Sequence, residues 1–411
     1  MSSILEPNPD PPVTFFDLVR TSFTLCVRLP WVVGTTLLRR WSRWDTAYKP
    51  PALREHLSRH VMICLGNHLP HSVWQWYNAA DTSGSNLKTS VRYGHIPHIF
   101  EPVRTPEFCG YWICRGISQE PIQPRDADIV LFHAHGGGYV ALHPSTAAPE
   151  HVFLAEILQR HNLTTAIFSL DYTLAPKAAF PKQRDEALAA YDWLRGEMGV
   201  DQSKIVVMGD SAGGHLIVSL LVGLYERRHS RSRGLGPPNG DDGDDDDDND
   251  DLRPAGAVLV SPWMNVHTSH PRTLEVHWEE RLLKRGLDNC CKKLLPDASP
   301  ELDLVYGNFA LGHETRGSWA EILPARTVVT AGAEELVFLY DIEDFVLQAK
   351  KDGADVELDV AEGKDHTWQY VEASHQHSRL LGLPPDEELP EDLMEGHRSM
   401  ATEILKITRR T

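Results

Sequence analysis

At 411 residues, 41% hydrophobic and 24% charged, the chain can bury a large core and reads as one catalytic-sized domain with added segments rather than two independent domains. Its formal charge of −18 excludes nucleic acid as a partner class, because phosphates need neutralising cations; nine aspartates between Asp241 and Asp251 supply half of it, and the remaining −9 is an ordinary acidic surface. The six cysteines, with Cys290 and Cys291 adjacent, suit neither a disulfide framework nor metal-ligand spacing, so a reduced setting with no metal is expected.

Residues 1–100 read as an N-terminal helical cap segment. Met1 to Pro12 is acidic and proline-rich and lacks the positive start of a secretory signal, which points to an intracellular location, cytoplasmic or peripheral to the endoplasmic reticulum membrane. From Phe15 to Leu38 the chain is long and apolar, but Asp17, Arg20, Arg28 and Pro30 interrupt the roughly twenty clean residues that a spanning helix needs. Two compatible readings remain. One is helices that cap an apolar active site; the other, with Arg39, Arg40, Trp41, Arg43 and Trp44 behind them, is an interfacial helix in peripheral membrane contact.

Residues 101–411 read as the catalytic domain. Strands are expected near 111–117, 128–134, 165–170, 204–209, 255–261, 326–331 and 355–361, with helices near 147–161, 183–198, 213–229 and from Tyr340 to Lys351. Such alternation implies a mostly parallel, doubly wound α/β sheet. The strand at 128–134 runs into His135, Gly136, Gly137 and Gly138. Consecutive glycines let a backbone run bare alongside a ligand, so the N–H groups of Gly137 and Gly138 are candidate oxyanion donors, with His135 bracing the loop.

The strand at 204–209 feeds Gly209, Asp210, Ser211, Ala212 and Gly213, a Gly-x-Ser-x-Gly nucleophile elbow that holds a serine hydroxyl out at the sheet's C-terminal edge. The helix beginning at Ala212 aims its unpaired N–H groups at an oxyanion formed there. After that helix, residues 234–253 carry the aspartate run, whose self-repulsion predicts a disordered surface insertion; calcium binding is set aside because no liganding glutamate follows at loop spacing. Residues 266–322, with Trp278, Leu282, Leu283 and Trp319, insert between two core strands as the rest of the cap.

A serine hydroxyl needs a base, and the base needs an orienting carboxylate. The strand at 326–331 ends in a turn bearing Glu334 and Glu335, and the strand at 355–361 ends in a loop bearing His366. One helix fits between them, so both loops fall at one sheet edge. Asp365 is set aside as the orienting acid because a neighbour in sequence points elsewhere.

In these motifs the chain resembles the hormone-sensitive-lipase-like branch of the α/β-hydrolase superfamily, which includes arylacetamide deacetylases, steryl acetyl hydrolases and fungal and bacterial esterases. The matching residues are His135 to Gly138, Asp171 to Pro176 with Phe180 and Pro181, Gly209 to Gly214, Ser261 to Trp263, and the His366 loop. The resemblance implies an α/β-hydrolase fold with a helical cap. It also implies Ser211 as nucleophile, His366 as general base and acid, and an oxyanion hole of Gly137, Gly138 and Ala212. Where the family usually has Asp two residues before Leu336, this chain has Glu334, which is therefore expected as the acid, with Glu335 as the alternative. Tyr139, Asp210 and Trp263 are expected at the substrate pocket. The implied activity is cofactor-free hydrolysis of a carboxylic ester, of short acyl groups such as acetyl, on a small hydrophobic substrate. Acyl transfer to an alcohol on the same scaffold and a non-catalytic small-molecule receptor are the alternatives, and the oligomeric state stays open.

Overall fold

A computed structural model describes residues 13–42, 53–79, 82–232, 251–274, 278–297, 299–312 and 316–409. The aspartate run expected to be a disordered insertion lies, except for its last residues, outside the described residues; Asp251 is described and pairs with Arg253 at 2.6 Å.

Five helices precede the sheet: α1 (Phe15–Phe23), α2 (Leu29–Ser42), α3 (Leu53–His68), α4 (His71–Ala79) and α5 (Thr82–Thr89), with one π-helical turn (Thr24–Arg28) fusing the first two. The strands are β1 (Glu101–Arg104), β2 (Cys109–Arg115), β3 (Ile129–Ala134), β4 (Thr165–Leu170), β5 (Ile205–Asp210), β6 (Gly256–Val260), β7 (Thr327–Gly332) and β8 (Val356–Ala361). They form one sheet in the order β1-β2-β4-β3-β5-β6-β7-β8. β2 pairs antiparallel with β1 and β4, and every pairing from β4 to β8 is parallel.

Between the strands lie α6 (Ala148–Arg160), α7 (Lys182–Gly196), α8 (Ala212–Ser232), α9 (Trp278–Leu294), α10 (Pro300–Tyr306), α11 (Trp319–Ile322) and α12 (Leu336–Lys351). The chain closes with α13 (Trp368–Ser374), α14 (His377–Gly382) and α15 (Glu395–Thr408). β3 to β7 are buried along their whole length, which is why they read as continuous apolar runs rather than alternating ones. Val130 and Phe132 join one apolar layer with α7, α8 and α12; Ile129 and Leu131 join the other with α6 and α15.

Two boundaries differ from expectation. β1 is short and half-exposed at the sheet edge, so it carries little apolar signal. The N-terminal segment also divides before α5. Leu87, Tyr93, Ile96, Ile99 and Phe100 are buried in the layer under α6, and Arg92 is locked to Glu156 at 2.5 Å, so residues 82–100 belong to the body of the fold rather than to a cap. α3 and α4, by contrast, reach the loops at the sheet's C-terminal edge: Gln75 donates to Val140 O at 3.3 Å and Ala175 O at 3.2 Å.

Candidate active site

β5 turns into α8 at Ser211, whose φ of +51° is a left-handed conformation that L side chains rarely adopt. The turn closes only because its glycines lack side chains. A Cβ on Gly213 would stand 2.0 Å from Ala134 O of the neighbouring strand. The strained turn is pinned by Ser211 N–H donating to Val260 O at 2.9 Å and by Trp263 N–H donating to Ser211 O at 2.9 Å.

His366 sits on the loop after β8, with Nε2 2.9 Å from Ser211 Oγ and Nδ1 2.5 Å from Glu335 Oε2. A carboxylate only accepts, so Nδ1 carries the ring proton and Nε2 is free to accept the serine's. Phe338, on the first turn of α12, stacks on the imidazole at 3.9 Å and 12° and fixes its plane. Glu335 is wholly buried at the entrance to α12. Its second oxygen, Oε1, accepts from Gly332 N–H at 2.7 Å and Ser261 Oγ at 2.8 Å, and Ser261 Oγ accepts from Thr367 N–H at 3.0 Å. One serine thus ties the acid's turn to the base's loop.

Glu334, expected to be the acid, does not reach His366. Its backbone N–H donates to Lys364 O, and its side chain is exposed. The reason is the tightness of the turn from β7 into α12, which rolls the second glutamate inward as N-cap and leaves the first outside. Asp365 also stays off the imidazole ring: Oδ1 accepts its neighbour's N–H at 2.8 Å and Oδ2 meets Arg59 Nε at 3.3 Å.

The glycine loop stands beside the elbow. Gly137 and Gly138 have φ of +97° and +61°, and a Cβ on Gly137 would lie 2.2 Å from Ala141 O. His135 lies flat against Tyr172 at 4.3 Å and donates through Nδ1 to Gly136 O at 2.8 Å, while the Tyr172 hydroxyl donates to His135 O at 2.8 Å. Burial holds His135 down to about 3, so the ring is neutral.

Asp210, Tyr139 and Trp263, expected at the pocket, are buried beside the glycine loop and the elbow. Asp210 Oδ1 accepts from Gly136 N–H at 3.0 Å, and burial pushes its carboxyl up to about 6. Tyr139 donates to His215 Nδ1 at 2.7 Å, a direction fixed by His215 Nε2–H donating to Tyr306 O at 2.8 Å. Trp263 packs in the core behind the elbow. Each braces a catalytic loop from behind, and none projects its side chain to the surface.

Two cap contacts escape sequence reasoning because they join residues far apart in the chain. Arg59 on α3 forms an ion pair with Glu280 on α9 and also meets Asp365 beside the base; Glu280 in turn accepts from Val337 N–H at 3.0 Å at the start of α12. Cys290, also on α9, overhangs the glycine loop: a Cβ built on Gly138 would be 3.1 Å from its Sγ. Among the described residues no group of three or more His, Cys, Asp or Glu side chains could hold a metal ion.

A serine on a strand-to-helix elbow, a histidine on the loop after the last strand and a buried carboxylate after the strand before it define an α/β hydrolase. The chain belongs to the alpha/beta hydrolase fold family, whose profile matches residues 131–370. Short segments of the chain are similar to curated hormone-sensitive lipases and arylacetamide deacetylases. Hormone-sensitive lipase of Mus musculus is 38% identical over 100 residues, covering 24% of this chain and 12% of the relative. Arylacetamide deacetylase of Rattus norvegicus is 38% identical over 98 residues, covering 22% and 23%, and esterase LipU of Mycobacterium tuberculosis is 27% identical over 170 residues, covering 40% and 50%. The matched segments therefore span no more than half the length of these relatives. Among solved structures, the esterase EstE5 soaked with p-nitrophenyl butyrate superposes with a TM-score of 0.53 at 19% identity, covering 91% of this chain and 99% of that one. An esterase of the bacterial hormone-sensitive lipase family gives 0.52 at 21%, covering 93% and 97%. At those identities the likeness is one of fold.

Proposed function

We propose that the protein is a serine esterase that hydrolyses carboxylic esters of hydrophobic alcohols, with Ser211 as nucleophile, His366 as base and acid, and Glu335 as the orienting carboxylate. The observation that carries this reading is the unbroken contact from Ser211 Oγ through both His366 nitrogens to Glu335. His366 Nε2 takes the serine proton as Oγ attacks the acyl carbonyl, and the imidazolium formed is stabilised by the buried carboxylate. The N–H groups of Gly137, Gly138 and Ala212 receive the oxyanion. The imidazolium then gives its proton to the leaving alkoxide, the alcohol departs, and water, deprotonated by the same ring, releases the acid from Ser211. No cofactor enters this cycle. A short acyl group is part of this reading, and Cys290 Sγ, 3.1 Å from where a Cβ on Gly138 would stand, lies beside the glycine loop. Relatives named arylacetamide deacetylase and ethyl acetate hydrolase, the latter from Pseudomonas putida, point the same way.

The test is fluorophosphonate labelling and turnover of p-nitrophenyl esters from acetate upward in chain length. The parent is expected to label and to turn over the short esters fastest, and Ser211→Ala to do neither. A folded parent that neither labels nor hydrolyses any ester of the series removes this reading and favours a binding protein. For the oxyanion loop, Gly137→Ala places a side chain against Ala141 O in a left-handed conformation. Its kcat on the preferred ester is expected to fall by about 10²–10³, the cost of a lost oxyanion donor. An unchanged kcat would take this loop out of the chemistry.

A further inference from the structure

The long helix formed by α1, the π turn and α2 is amphipathic the wrong way round for a protein in water. Facing the body are Asp17, Thr21, Thr24, Arg28, Thr36 and Arg40, spaced three, four or eight residues apart, with Val32 and Val33 only partly covered. The hydroxyls of Thr21 and Thr24 are buried on this side without a hydrogen-bond partner. Facing outward is an apolar stripe on which Phe16, Trp31 and Trp41 are 82%, 72% and 85% exposed, joined by Phe15, Phe23 and Leu38. A folded chain gains by burying apolar surface, so the outward stripe has no stabilising role unless another apolar phase covers it.

We infer that this stripe lies in the interface of an anionic phospholipid bilayer, with the helix parallel to the surface and the hydrolase body held against it. By length and composition alone the segment Phe15–Ser42 could cross a membrane. Its contacts with the body argue for lying flat. Ser72 donates to Asp17 at 3.0 Å, Arg20 donates to His68 O at 2.9 Å, and Thr36 meets His60 Nδ1 at 2.5 Å, so the helix is tied along its side to α3 and α4. A crossing helix would tear these contacts apart and carry Asp17, Arg20 and Arg28 into hydrocarbon. Charge selects the partner. Of the charged residues on the segment, Asp17, Arg28 and Arg40 face the body and the exposed ones, Arg20 and Arg39, are both basic in a chain of −18, which suits anionic headgroups.

The experiment is flotation of the full chain with phosphatidylcholine vesicles, with and without phosphatidylserine, followed by alkaline carbonate extraction. The reading requires that the protein float, more completely with phosphatidylserine and less at high salt, and that carbonate release it. Phe16→Glu combined with Trp31→Glu, both on the outward face, is expected to lower the bound fraction about tenfold or more with turnover of a soluble ester unchanged. Quenching of tryptophan fluorescence by brominated lipid supplies a readout on the unaltered chain, with shallow bromines the more effective. Failure to float, resistance to carbonate, or a dimer by light scattering that ignores vesicles would each overturn the inference. Flotation, carbonate extraction and fluorescence quenching do not depend on the esterase assignment.

Discussion

Glu335→Gln is expected to lower kcat by about 10³–10⁴ with KM little changed, while Glu334→Gln stays within about twofold of the parent. The first figure is the scale on which replacing a triad carboxylate by its amide acts, because the amide presents the wrong partner to Nδ1 and no longer balances the imidazolium. The geometry explains why two adjacent glutamates should differ so widely. Glu335 is wholly buried, its Oε2 faces His366, and its Oε1 receives Gly332 N–H and the Ser261 hydroxyl. Three donors converge on one carboxylate, so its charge is held where the imidazolium develops. Glu334 is exposed and takes part only through its backbone. Steady-state kinetics of both variants on the best p-nitrophenyl ester, with thermal unfolding as a check on folding, decides the matter. Should Glu334→Gln be the damaging change and Glu335→Gln the silent one, the orienting acid has been misassigned. Ser261→Ala leaves the carboxylate in place but removes one donor and the tie to Thr367, so a smaller loss, on the order of tenfold, is expected from it.

The sequence carried most of this site, because its chemistry is bound to local backbone form. An elbow needs glycines at fixed offsets from the serine, and a bare loop needs consecutive glycines, so Ser211 and the Gly136 to Gly138 run announce themselves within a few residues. His366 was found from its place after a strand. The choice between Glu334 and Glu335 was not legible, because it turns on which way a tight turn rolls at the start of α12, and one residue of register reverses inside and outside. The family spacing favoured Glu334, whose side chain the structure leaves exposed while Glu335 meets His366. Tyr139, Asp210 and Trp263 sit beside the motifs in sequence, which suggested pocket residues, and the structure buries all three. Arg59, Glu280 and Cys290 left no signal at all. Their partners lie across loops and helices that only the closed fold brings together, and a charged residue on a helix is otherwise indistinguishable from a solvated one.

A second large effect is expected from acid. Behind the sheet, His133 on β3, His151 on α6 and His397 on α15 form a buried cluster with Tyr370, with the His133 and His151 rings 4.1 Å apart. Both ring nitrogens of His151 and of His397, and Nε2 of His133, have no hydrogen-bond partner. Burial holds His133 and His397 down to about 3 and His151 well below its usual value; on the active-site side it holds His135 to about 3 and His215 to about 4. The unfolded chain protonates these five rings near pH 6.5, whereas the folded chain keeps them neutral well below that, so stability falls as pH drops below about 6.5. Asp210 and Asp341 act in the opposite sense. Burial pushes both up to about 6, so the folded chain takes up their protons before the unfolded chain does, and stability is gained as pH falls from about 6 toward 4. Five protons favouring the unfolded state and two favouring the folded state leave a net of about three, or about 4 kcal/mol per pH unit. Over the two units below pH 6 this removes about 8 kcal/mol, enough against a total stability of about 5–15 kcal/mol to unfold a chain of ordinary stability in acid. Urea melts followed by near-ultraviolet circular dichroism from pH 8 downward measure the slope directly, and His397→Leu is expected to reduce it by about one proton. A flat profile down to pH 4.5 would mean that these rings are charged in the folded protein. With the expected slope, loss of activity in acid follows the unfolding curve.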